Sequence, residues 1–256
     1  MTDSSWFEVT PERVAQRIAE RIFTIPTSGV ILDAFCGIGG NSIQFALRPS
    51  CTHVIALDSD PLAIFCAKKN AQLYGVAHKI TFLAADFFHF ASNPTSPEYT
   101  SALSHLSLTS IDVVFASPPW GGPSYRTRNI FNLENDLKPY PFSRIWEAAQ
   151  KLSPNGSFML PRTSDLRQLA GYLTDDEVMG EAVHYCLDMR SKALVFYVGG
   201  LVESGRKGKG KEKKKGSNVH EEGELSSLSS SPTPAVVQQA EEVWRRVAGV
   251  GGGSGC

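Results

Sequence analysis

The stretch Val30-Ile31-Leu32-Asp33-Ala34-Phe35-Cys36-Gly37-Ile38-Gly39-Gly40-Asn41 decides the fold. Val30 to Phe35 is apolar but for Asp33, the pattern of a strand buried on both faces. Cys36 to Asn41 is a glycine-rich turn, and a helix follows it through Leu47. A buried strand, a glycine turn and a helix open a βαβ unit, so a parallel sheet with helices on its faces is expected.

Reading outward confirms the alternation. Upstream, Thr10-Pro11-Glu12 is expected to open a helix, with Thr10 as cap, Pro11 in the first helical position and Val14, Ile18 and Ile22 on the apolar face. Downstream, Val54 to Asp58 is a second strand, Asp60-Pro61 caps a helix to about Tyr74, and Gly75 ends it. Ile80 to Ala84 is a third strand, leading to Asp86. Residues 92–110 are polar and Ser-rich, an insertion with at most a short helix. Ile111 to Ala116 is a fourth strand, which runs into Ser117-Pro118-Pro119-Trp120-Gly121-Gly122-Pro123. A helix is predicted over 143–152, a fifth strand from Ser157 to Leu160, a helix near 164–173, and two closing strands over 181–188 and 192–199 joined tightly enough to be antiparallel. The expectation is one α/β domain over residues 1–202.

After Val202 the composition changes. Residues 206–216 read RKGKGKEKKKG, 226–234 are Ser/Pro-rich, and the chain ends in GGGSGC. Residues 203–256 are therefore expected to be a mostly disordered tail, with one short amphipathic helix over 235–248. Charge divides the same way: residues 1–203 carry a net −4 and residues 204–256 a net +3. The domain is not a bulk-basic nucleic-acid binder, so any nucleic acid must be gripped locally. No apolar run approaches the ~20 residues of a membrane span, and the N-terminal MTDSSWFEVTPERV has no secretory pattern. The five cysteines form no C-x-x-C pair, which suggests apolar fillers in a reducing compartment rather than a zinc or disulfide framework.

The glycine turn also speaks to chemistry. Gly37 and Gly39 let backbone approach a ligand, and Asp58, 21 residues after Gly37, stands where a ribose is met at the end of a second strand. The dinucleotide fingerprint is incomplete, because its third glycine is absent. Asp33 just before the turn would repel a pyrophosphate and suit an ammonium. That combination points to S-adenosylmethionine, with Asp86 placed to meet the adenine amino group. Each aspartate alone could simply cap a turn; three at successive strand ends make a cofactor rim.

Ser117-Pro118-Pro119-Trp120 resembles the [DNS]-P-P-[YFW] motif of methyltransferases that act on exocyclic or amide nitrogens. Such a nitrogen is a poor nucleophile, since its lone pair is delocalised. A fixed carbonyl and a Ser hydroxyl would aim it, and an aromatic ring would hold the base edge-on to the methyl donor. Indole is the best π-face for a cation, and a guanine methylated at its 7-nitrogen is cationic.

Taken together, Trp6 to Glu12, Val30 to Asn41, Val54 to Pro61 and Asp112 to Pro123 resemble the trimethylguanosine synthase family over about residues 5–202. The resemblance implies a Rossmann-like class I methyltransferase: a seven-stranded, mostly parallel sheet with its last strand antiparallel, flanked by helices. It implies conversion of the 7-methylguanosine cap of small nuclear and nucleolar RNAs (snRNA, snoRNA) to the 2,2,7-trimethyl form. Residue by residue, it places Thr10, Asp33, Asp58 and Asp86 at cofactor positions and Ser117 and Pro118 at the guanine amino group. Trp120 falls at the cap-stacking position and Arg162 at the cap phosphates. Tyr125, Arg126 and Arg128 flank the Trp loop. It further implies a monomer, contacts with ribonucleoprotein components, and residence in the nucleus, nucleolus and cytoplasm, with RKGKGKEKKK as a targeting signal, an RNA tether or a solubilising segment. In the family a small helical extension precedes this core, whereas this chain starts just ahead of Trp6. A shortened chain, a lid supplied otherwise and a weak copy all stay open. Two other functions share these motifs: a methyltransferase of adenine or internal guanine, and a cap-binding scaffold without turnover.

Overall fold

In a computed structural model the described residues are 9–24, 29–104, 111–173, 179–187 and 189–202. Trp6 to Glu8, the tail and its expected helix over 235–248 lie outside them.

The core is a seven-stranded sheet: β1 (Gly29–Asp33), β2 (Cys51–Asp58), β3 (Ile80–Ala84), β4 (Val113–Ala116), β5 (Gly156–Leu160), β6 (Gly180–Leu187) and β7 (Arg190–Val198). Their spatial order is β3-β2-β1-β4-β5-β7-β6. β1 to β5 pair in parallel, and β7 runs antiparallel to both β5 and β6. The order reverses between β1 and β4, so the crevice for a ligand opens beyond the carboxyl ends of those two strands.

Alternation along each strand divides the core into two layers. Leu32, Ile55, Leu57, Val114, Phe158 and Phe196 face one side. Ile31, Val54, Ala56, Phe115, Met159 and Val195 face the other. The second layer is closed by α1 (Glu12–Ile22) and α2 (Gly40–Ala46), where Val14, Ile18 and Ile22 are buried at the expected spacing. Phe45 of α2 meets Phe115 edge-on at 5.1 Å. Truncating Ile18 to Ala would cost about 2–5 kcal/mol, since it is fully buried.

The remaining helices are α3 (Pro61–Leu73), α4 (Phe87–Ser92), α5 (Pro97–Leu103), α6 (Phe142–Gln150) and α7 (Leu166–Gly171). Asp60 caps α3 as expected, its carboxylate accepting from Leu62 N at 2.9 Å with Pro61 next, and Gly75 follows the helix at φ +71°. Within its described residues, 92–104, the insertion carries the short α5. One expectation fails at α1. Pro11 itself is the N-cap (φ −55°, ψ 134°), with no side-chain cap. Thr10 is turned inward and 4% exposed. Its hydroxyl is used elsewhere, as the site shows.

Candidate active site

The turn after β1 is built around two backbone shapes that need glycine. Gly37 has φ +52° and Gly39 φ +88°. At Gly39 a Cβ would also stand 3.1 Å from the Ala67 Cβ of α3. The turn is pinned from outside: Gly37 N–H donates to Asp58 Oδ2 at 2.8 Å, and Asn70 Nδ2 donates to the Ile38 carbonyl at 2.9 Å. Asp58 Oδ1 accepts from Asp60 N–H at 2.9 Å. Asp58 thus ties the end of β2 to the glycine turn of β1 while staying half-exposed.

Asp33 lies beneath this turn and is 0% exposed. Ser42 Oγ donates to its Oδ2 at 2.6 Å, and its Oδ1 has no partner. Burial pushes the Asp33 carboxyl up to about 7, with the Asp58 charge adding to the rise and the Ser42 bond opposing it. Burial raises the Cys36 thiol as well, helped by the same two carboxylates, so Cys36 is inert filler. Asn41 Nδ2 donates to Thr10 Oγ1 at 2.9 Å, while buried Asn41 Oδ1 also lacks a partner. Two orphaned acceptor oxygens on one strand–turn–helix unit are costly unless a donor arrives. A cationic ammonium supplies N–H donors and would return Asp33 to its charged form.

Asp86 lies at the next strand end. It is exposed, and its Oδ1 caps α4 by accepting from His89 N–H at 2.8 Å. Beside it, Phe35 meets Phe87 and Phe88 with ring centroids 5.5 and 6.4 Å apart, an apolar wall on the same rim.

On the other side of β1, Met159 of β5 gathers the residues of the Pro-Pro loop. Thr10 Oγ1 donates to its Sδ at 3.3 Å, and Ser117 Oγ approaches the same sulfur at 3.9 Å. The Trp120 indole Nε1 donates to its carbonyl at 3.3 Å. Ser117 meets Met159 because Ala116 is paired with Phe158, one step back along each strand. Pro118 is buried, and Trp120 is half-buried with the Tyr125 ring edge-on at 4.9 Å and 83°. Gly121 and Gly122, at φ +78° and +81°, turn the chain away after the indole. Arg162, just past β5, is exposed and has no ion-pair partner among the described residues, whereas Arg128 pairs with Asp136 at 3.1 Å.

The structure therefore brings Asp33, Gly37, Gly39 and Asp58 together around one turn, with Gly37 bonded to Asp58 and Asp33 to Ser42. A second unit, Thr10, Ser117 and Trp120, meets at Met159, and the Thr10–Asn41 bond links the two. Asp86 and Arg162 stand exposed on the rim, apart from both units, Asp86 capping α4 through its Oδ1. Sequence reasoning missed Asn41, Ser42 and Met159. Their signals were the two polar residues opening α2 and the register that sets Met159 beside Ser117.

A doubly wound sheet in this strand order, with a glycine turn on acidic partners and a Ser-Pro-Pro-Trp loop beyond the switch point, defines a class I methyltransferase. The chain belongs to the RNA cap guanine-N2 methyltransferase family, whose sequence profile it matches over residues 28–201. It is 39% identical over 170 residues to trimethylguanosine synthase of Schizosaccharomyces pombe, covering 66% of this chain and 65% of that one. With trimethylguanosine synthase of Saccharomyces cerevisiae the identity is 41% over 171 residues, covering 66% and 50%. The chain thus spans about half to two thirds of the length of these relatives. Among solved structures, the fold is shared with the O-methyltransferase TomG of Streptomyces achromogenes (TM-score 0.51, 13% identity, 75% of this chain and 81% of that one). It is shared equally with protein PH1948 of Pyrococcus horikoshii (TM-score 0.50, 14% identity, 77% and 89%). S-adenosylmethionine is the cofactor of this class, and the orphaned oxygens of Asp33 and Asn41 fit its ammonium.

Proposed function

We propose that this protein methylates the 2-amino group of the 7-methylguanosine cap of small nuclear and nucleolar RNAs, giving the 2,2,7-trimethyl cap. One observation carries the reading: the half-buried Trp120 indole is anchored to the Met159 carbonyl beside Ser117 and Pro118, at the end of the sheet that holds the glycine turn. When bound, S-adenosylmethionine supplies a methyl group on a positively charged sulfur. Asp33, Asn41 and Asp58 would hold it, Asp33 and Asn41 through its ammonium and Asp58 through its ribose hydroxyls. Trp120 offers its face to the cationic purine. The Pro118 carbonyl and the Ser117 hydroxyl accept the amine N–H groups and direct the nitrogen lone pair, so positioning supplies most of the acceleration. Arg162 meets the cap phosphates. Two methyl groups require two rounds, with the product amine turned between them. Work in the nucleus, nucleolus and cytoplasm, as a monomer with ribonucleoprotein components as partners, is part of the same proposal, and the basic run 206–216 supports its nuclear part.

The test is transfer of labelled methyl to cap dinucleotides. Transfer to the 7-methylated dinucleotide, with product at the guanine 2-amino group and little transfer to the unmethylated one, is expected. Equal use of both, or product on adenine, would make it a different base-amine methyltransferase. No transfer at all would leave a cap-binding scaffold.

A further inference from the structure

The stretch from the Trp loop into α6 carries charge that the cap site does not use. Lys138 packs on the turn after Trp120: a Cβ on Gly121 would stand 3.4 Å from the Lys138 Cβ. Six residues on, the Arg144 guanidinium lies over two rings, 4.1 Å from the Phe88 centroid and 4.9 Å from that of Tyr140. Phe88 and Tyr140 meet edge-on at 4.5 Å. Phe88 is also tied to Phe35, two residues after Asp33. Arg144 is thereby held over the same rim as the glycine turn, its long side chain restrained by the rings.

Two acidic groups of this segment are occupied by other partners. Glu134 accepts from Ser143 N–H, Ser143 Oγ and the Tyr172 hydroxyl. Asp136 accepts from Asn132 N–H and pairs with Arg128. Glu147, three residues past Arg144, is exposed and forms no ion pair with it. Lys138 and Arg144 are both exposed, and neither has an ion-pair partner among the described residues. In a domain of net negative charge, two uncompensated cations strung from the Trp loop across the rim form a local grip for a polyanion.

Building on the cap-methyltransferase reading, we infer that Lys138 and Arg144 form a phosphate track for the RNA nucleotides that follow the cap. The track discriminates a capped RNA chain from a free cap without touching the purine. Its contacts are to backbone phosphates, so it is indifferent to sequence and sensitive to salt.

The experiment uses the full chain, its basic tail intact in every variant. Fluorescence anisotropy reads binding of a labelled 7-methylguanosine-capped oligonucleotide and its uncapped counterpart, and methyl transfer reads KM for the capped oligonucleotide and for the cap dinucleotide. Lys138→Ala/Arg144→Gln is expected to weaken both oligonucleotides about five- to tenfold at ~0.1 M salt and to flatten the log–log salt slope by about 1 to 1.5. It is expected to leave the dinucleotide kcat/KM within about twofold, because the variant touches no cap contact. Arg144→Lys should keep most of the binding, since a phosphate track needs the charge more than the fork. Unchanged oligonucleotide binding and slope in the double variant would overturn the track, as would an equal loss on the dinucleotide. If the wild type transfers no methyl to either substrate, the function falls while the anisotropy arm still judges the track.

Discussion

The indole Nε1 of Trp120 donates to the backbone carbonyl of Met159 at 3.3 Å. This ties the Pro-Pro loop to the strand that precedes Arg162, so the ring plane is set by backbone rather than by loop packing alone. Trp120→Phe keeps an aromatic face but loses the donor and the stronger π-surface. It should lower cap kcat/KM by about tenfold or more, against an effect within about threefold for Met159→Leu, which keeps the carbonyl. Steady-state assays on the 7-methylated cap dinucleotide compare the two.

Asp33 gives the site a pH dependence with a definite sign. Its carboxyl sits at about 7 rather than 3.8, chiefly because it is buried. A folded-state value above the unfolded one contributes stability at acid pH that is lost as pH rises from about 4 through 7. Asp33→Asn should therefore raise Tm of the cofactor-free protein at pH 8 by several degrees, at about 2–4 °C per kcal/mol. Cofactor affinity should move oppositely. In the wild type it rises between pH 6 and 8 as the carboxylate forms, and in Asp33→Asn it is weaker and flat. Calorimetric titrations across that range check both slopes.

Gly39 combines a left-handed backbone with a neighbour 3.1 Å from any added Cβ. Gly39→Ala should cost about 1–3 kcal/mol in denaturant unfolding and weaken the cofactor, because the strained turn displaces Asn41. Gly37→Ala meets no atom within 4 Å, so its cost should be confined to backbone strain and be the smaller of the two.

Asp58 holds the Gly37 and Asp60 N–H groups at once. Asp58→Ala should weaken S-adenosylmethionine by at least tenfold in calorimetry, through the lost ribose contact and the loosened turn. Asp58→Asn keeps one acceptor oxygen and sets an NH2 against the other N–H, because the two bonds use different carboxylate oxygens; it should lose about 1–3 kcal/mol of stability in denaturant unfolding as well as cofactor affinity.

Much of this is legible in the sequence alone. Val30 to Asn41 announces a strand, a turn and a helix because apolar runs and glycines act locally, and the seven strands of the described residues overlap the runs read from the sequence, with β2 starting earlier, at Cys51, and β1 ending earlier, at Asp33. The same locality explains the failure at Thr10. A Thr before Pro reads as a helix cap, but Asn41 and Met159, 31 and 149 residues away, claim its hydroxyl. No local pattern carries such distant partners. The role of Asp33 is visible as a carboxylate before a glycine turn. That one of its oxygens would be buried without a donor depends on the packing of α2, which spacing does not report. Arg144 gives no signal either, since its place is set by two rings brought together from α4 and from the stretch just before α6.

The central claim is that Trp120 reads the positive charge of a 7-methylated guanine. Equilibrium titration of 7-methylated and unmethylated cap dinucleotides into the wild type and Trp120→Ala tests it most directly. The wild type should prefer the methylated cap by about 30-fold, the ~2 kcal/mol of a desolvated cation–π contact, and Trp120→Ala should lose that preference while its S-adenosylmethionine affinity stays within about twofold. A wild type without the preference, or a Trp120→Ala variant that retains it, would contradict the account.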